Sequence, residues 1–166
     1  MSVPVAHQIE VETFDGSLHS QREIAEMRRS VRIWQLDRQR ISPSDFKKPQ
    51  QDLLEIDAYY FQPGGSFFIA KESARGLIVG CIGLLREEGN IGQIQRMIVE
   101  PECHRQGIGT KLFMAARSYA ESDGFRRLVL TTGEYEQTLD FYEHLGFVRT
   151  GVLANGDITM GLDLPQ

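Results

Sequence analysis

A chain of 166 residues, 41% hydrophobic and 25% charged, is long enough to close one domain, residues 1–166, around a substantial core. A net charge of −5 and a pI near 5.4 exclude a general nucleic-acid binder, which would present a basic surface. No apolar run reaches the ~18 residues of a membrane span, no basic-then-apolar leader opens the chain, and two cysteines build neither a disulfide framework nor a zinc site, so a cytoplasmic, metal-free protein is expected.

Residues 8–14 alternate polar and apolar and predict a first strand, ended by Asp15-Gly16-Ser17. Over 21–38, Ile24, Met27, Val31 and Trp34 step by three or four, the apolar face of an amphipathic helix with Trp34 in the core. Its other face carries Arg22, Arg28, Arg29, Arg32 and Arg38, which reads as a solvated surface or as a rim that attracts anions. Ser42-Pro43 predicts a helix start, with Ser42 as cap, and Pro49 interrupts it. Leu53, Leu54, Ile56, Tyr59 and Tyr60 predict another short helix, broken by Pro63-Gly64-Gly65.

Residues 66–70, 77–85 and 91–99 predict three strands, with Cys81 a small core residue in the second. Ile108, Leu112, Ala115, Ala116 and Tyr119 predict a helix that stops at Asp123-Gly124. Residues 128–130 form a strand, 137–145 a helix closed by Gly146, and 147–152 and 158–164 two strands joined at Asn155-Gly156. The order β-α-α-β-β-β-α-β-α-β-β predicts an α/β fold, a mixed sheet with helices on its faces.

Between the third of those strands and the next helix runs VEPECHRQGIGTK, residues 99–111. The first turn of a helix has N–H groups without intrahelical partners and carries the positive end of the dipole. Gly107 and Gly109 would let an anion reach those amides, which makes the loop a candidate phosphate cradle; the alternative is a tight turn. A dinucleotide fingerprint fails because Leu112 stands where its third Gly should be. A P-loop fails because the order is Gly109-Thr110-Lys111.

Val99, Pro101, Gly107 and Gly109 stand in the register of the acyl-CoA loop of the GNAT superfamily of N-acetyltransferases, which this loop resembles. His104 departs from it, standing where Arg or Gln is usual. DFYEHLGF, residues 140–147, resembles the Leu-Tyr-Glu-x-x-Gly-Phe segment of the same family, and IQRMIV and LVLTT resemble two of its strands. The resemblance implies a mostly antiparallel mixed sheet of about seven strands, flanked by about four helices and splayed between strands 4 and 5.

It also implies transfer of an acetyl group from acetyl-CoA to a primary amine of a small molecule, peptide or protein, by direct attack in a ternary complex. His104, Arg105, Gln106, Gly107, Ile108, Gly109 and Thr110 would hold the pyrophosphate; backbone at Met97, Ile98 and Val99 would pair with the pantetheine. Tyr142 would be the acid for the departing thiolate. The usual base is a Glu six residues before the strand-terminal Val; that position is Gln93, which cannot take the proton. Substitutes are Glu87, Glu88, Glu100, Glu134, Asp57 and His104. Tyr135 replaces a common Asn, and Cys103 reads as an exposed thiol beside the cradle.

The arginine face becomes a rim for CoA phosphates or an acidic substrate. Residues 22–61 and 133–137 would build the acceptor site, lined by Tyr59-Tyr60-Phe61 and 133–136, where Glu134 and Glu136 suggest a cationic acceptor. A CoA-binding regulatory module without activity is the alternative, favoured by Gln93 and His104. Many members are dimers, so a homodimer is also open.

Overall fold

A computed structural model describes residues 8–47 and 50–166; the expected interruption at Pro49 and the reading of the first residues lie outside them. Strands β1 (Ile9–Thr13), β2 (Ser66–Glu72), β3 (Leu77–Glu87) and β4 (Ile91–Val99) pair antiparallel in succession. β5 (Arg127–Thr132) runs parallel to β4, and β6 (Val148–Val152) and β7 (Ile158–Asp163) complete a seven-stranded sheet in the order β1-β2-β3-β4-β5-β7-β6. The mixed, mostly antiparallel sheet is the one expected.

A parallel pair needs a crossover. Here it is made by helix α4 (Ile108–Ser122), after a 3-10 turn at Pro101–Cys103. The other helices are α1 (Gln21–Asp37), α2 (Pro43–Phe46), α3 (Gln51–Leu54) and α5 (Glu136–His144). Ser20 caps α1 and Ser42 caps α2, each accepting from the amide three residues on. The single short helix expected near 53–60 is two pieces, α3 and a π-helical turn at Asp57–Phe61. Each piece turns a polar group inward, Asp52 and Tyr60, and the Tyr60 hydroxyl donates to Asp52 Oδ2 at 2.7 Å. A periodicity count cannot see that pairing.

Alternate residues of β2 feed two cores. Phe67 and Ile69 pack with Ile24 and Met27 of α1, Leu53 of α3 and Tyr60; Phe68 and Ala70 pack with Ile108, Leu112 and Phe113 of α4. Thus α1 and α3 cover one face of the sheet and α4 covers the other.

β4 meets β5 through Ile91↔Arg127, Gly92↔Leu128 and Gln93↔Val129 only. From Ile94 onward β4 keeps its β3 partner and parts from β5, which is the expected splay. Along this free stretch Arg96 has φ +53, and the register against β3 slips between Cys81 and Gly83. That is a bulge, one extra residue in β4. It shifts the alternation, so that Met97 and Val99 side with the α4 core and Ile98 with the α1 core.

Candidate functional site

The loop before α4 has the backbone geometry that its glycines suggest. Gly107 caps α4 with φ +74, a left-handed conformation that a side chain would strain, and a Cβ there would meet nothing within 4 Å. Arg105 is also left-handed, at φ +64. No backbone N–H from 105 to 110 donates to an acceptor among the described residues; the next amide, of Lys111, bonds the Gly107 carbonyl at 3.1 Å. The space before Gly107 is open, and free N–H groups at a helix start beside open space suit an anion.

Gly109 has a different task. A Cβ there would lie 3.2 Å from Phe141 Cζ and 3.3 Å from Met97 Cε. It is the junction where the first turn of α4, the end of β4 and helix α5 close together. Tyr142 follows Phe141 on α5, so the candidate acid belongs to the helix that packs on the cradle. Its side chain is buried against Phe141 and Phe147, and its hydroxyl has no hydrogen-bond partner among the described residues. Burial lifts its pKa above the ordinary phenol value, so the group stays protonated at neutral pH.

His104 is committed elsewhere. Its amide donates to the Pro101 carbonyl at 3.2 Å, its Nε2 donates to the Val99 carbonyl at 2.9 Å, and its ring meets Trp34 edge-on. It therefore braces the end of β4 rather than adding an amide to the cradle. Cys103, expected at the surface, is buried, and its thiol is raised by burial and then by the nearby Glu102. The 3-10 turn rolls it under the loop. Trp34, expected in the core, is only half-buried and lies under the guanidiniums of Arg38 and Arg40, at 4.3 Å and 5.0 Å.

Of the alternative bases, Glu87, Glu88, Asp57 and Glu134 are exposed. Glu100 is half-buried at the end of β4, and burial, then Glu102, raise its carboxyl above the ordinary range. Gln93 Oε1 accepts from Gln95 Nε2 at 2.9 Å. The two segments expected to line an acceptor site do meet: the Tyr135 hydroxyl donates to the Arg40 carbonyl, and Leu36, Arg40, Ser42, Asp45 and Tyr135 line an open depression of about 480 Å³. Tyr60 offers it no surface, being fully buried, whereas Tyr59 is 41% exposed.

One group at the site escaped the sequence reading. Asp52 is 8% exposed and accepts two bonds from Arg96, Nε to Oδ2 at 2.8 Å and Nη2 to Oδ1 at 2.6 Å. Burial alone would raise its pKa; the Arg96 and Tyr60 hydrogen bonds outweigh burial and lower it. Only the fold brings Asp52 and Arg96 together, so no local pattern announces the pair.

The fold is that of an α/β protein with a parted sheet and a glycine-started helix beside the parting. Residues 30–147 match the acetyltransferase (GNAT) family, and the chain belongs to it. It is 33% identical over 103 residues to the N-acetylaspartate synthetase of Danio rerio, covering 60% of this chain and 36% of that protein. It is 31% identical over 108 residues to N-acetyltransferase family 8 member 2 of Rattus norvegicus, covering 61% and 47%. The chain spans about half the length of the curated relatives it matches. The fold is similar to that of the PaiA N-acetyltransferase of Thermoplasma acidophilum in complex with coenzyme A, with TM-score 0.75, 18% identity, and coverage of 95% of this chain and 99% of that one. Among the described residues, no helix is long and apolar enough to cross a membrane.

Proposed function

We propose that this chain, acting as one domain, moves the acetyl group of acetyl-CoA to a primary amine in a ternary complex. The observation that carries the reading is the run of free amides over 105–110, opening beside the unpaired edge of β4. Names of relatives, N-acetyltransferase and N-acetylaspartate synthetase, support it, as does the coenzyme A in the similar structure.

In this reading the cradle amides hold the pyrophosphate, and the open edge of β4 pairs with the pantetheine. An amide near Met97 polarises the thioester carbonyl and stabilises the oxyanion. The amine nitrogen attacks that carbonyl carbon; the C–N bond forms and the C–S bond breaks. The amine's proton goes to a base, and the Tyr142 hydroxyl gives its proton to the leaving sulfur. Glu100 is the base that burial suits best, because a raised pKa brings a carboxylate closer to the operating pH. Alignment of the two substrates at the parting supplies the remainder of the rate.

The rival reading, a CoA-binding regulatory module, rests on Gln93, whose side chain is tied to Gln95 and has no basic atom. Calorimetry with acetyl-CoA, followed by thiol release on a panel of amines, separates the two. Wild type should bind and turn over, and Gly107→Glu should lose binding because its carboxylate enters the open space before the cradle. Binding without turnover on any amine would favour the regulatory module. Absence of binding by the folded wild type would end both readings.

A further inference from the structure

On the α1 face of the parted sheet lies an excess of positive charge. Arg96, at the β4 bulge, is fixed by Asp52. Arg28 and Arg32 come from α1, which packs on α3, β3 and β4. Arg32 is only 7% exposed and Arg28 is half-buried. The Arg32 Nε and the Arg28 Nη1 are enclosed and have no hydrogen-bond partner among the described residues. Nearby carboxylates leave those two atoms without a hydrogen bond: both Asp52 oxygens bond Arg96, and Asp45, on α2, attracts Arg32 through its charge. The crowding shows in Arg28, which burial and then Arg96 and Arg32 push down to about 9. Arg32 is lowered by burial and by Arg96.

Buried guanidinium N–H groups are almost always bonded, and buried charges are paired. The missing partner here is an anion, and a planar fork matches a carboxylate. The phosphate cradle starts α4 on the opposite face of the sheet, so the two anion sites are separated by the sheet itself. An acceptor entering from the α1 side would reach the parting with its amine while its anionic end met the arginines. We propose that Arg28, Arg32 and Arg96 form a subsite for the carboxylate of the acceptor, so that the acceptor is an amine bearing a carboxylate, of the amino-acid class. The inference rests on the acetyltransferase reading given above.

The test is calorimetric titration of proteinogenic L-amino acids and their carboxamides, as matched pairs, into the protein saturated with CoA. At least one acid should bind about 10-fold or more tightly than its amide, the scale of a charge-assisted hydrogen bond. Arg32→Gln should erase that ratio, Arg32→Lys should keep part of it, and acetyl-CoA affinity should be unchanged in both. If Arg32→Gln fails to fold, the less enclosed Arg28→Gln carries the same prediction. Acids and amides that bind alike, or a preference that survives both Gln variants, would overturn the subsite. With acetyl-CoA binding intact, that result leaves the acetyltransferase reading standing; loss of acetyl-CoA binding by wild type would remove both.

Discussion

The two glycines of the cradle show how a motif divides its labour. Gly107 is required by its positive φ and by the open space before it, whereas Gly109 is required by packing against Met97 and Phe141. The spacing of the glycines was legible in the sequence; the separate reason for each was not, because one of them depends on residues 12 and 32 positions away, Met97 and Phe141. His104 was legible as a departure, and the bond to Val99 explains what it does instead. Tyr142 and Glu100 are the proposed acid and base. Tyr142→Phe removes a hydroxyl with no partner among the described residues, so the melting temperature should hold while kcat falls about 10²-fold with little change in KM. In the same measurements, the acid limb of kcat/KM should lie above the ordinary carboxylate value and vanish in Glu100→Gln, since a base must be deprotonated and this one is raised. A wild-type limb at the value of a free carboxylate would remove Glu100 from the role.

At the scale of elements, α1 gave up its apolar stripe to simple counting, and Ile24, Met27 and Val31 are buried as that stripe requires. The arginines were harder. Arg28 stands four residues after Ile24 and Arg32 one after Val31, so both border the apolar stripe, yet a count of charge sees only a basic helix face. Arg28 and Arg32 are enclosed at that border, where Arg96 adds a third positive charge rather than a partner. Asp52 is therefore a structural anchor. Asp52→Asn should cost about 3 kcal/mol in urea unfolding, because it leaves a guanidinium unpaired in a region already rich in positive charge. Its pKa is lowered on folding, so its contribution is complete above the unfolded value of about 3.9 and is lost as pH falls below it. The variant should accordingly lose part of the acid-induced decline. An unchanged stability curve would show that Arg96 finds another partner.

For the molecule as a whole, the order of elements was legible in hydrophobic periodicity and turn residues, and the splay only through the resemblance of the loop and of residues 140–147 to the family. The electrostatics were not. A net charge of −5 averages over the chain and conceals three guanidiniums gathered on one face of the sheet. The strand order also divides the sheet into two blocks, β1 to β4 and β5-β7-β6, joined edge to edge by three residue pairs. The blocks share the α4 core, so the hydrogen-bonded seam is the narrowest link between them. Amide protons of β5, which has β4 beside it only along residues 127–129, should exchange with solvent deuterium through openings smaller than global unfolding, and faster than those of β3. Uniform protection across both strands would contradict this. On the function proposed above, a pantetheine arm seated in the parting would act as an added strand, and its departure would return the far end of β4 to an edge.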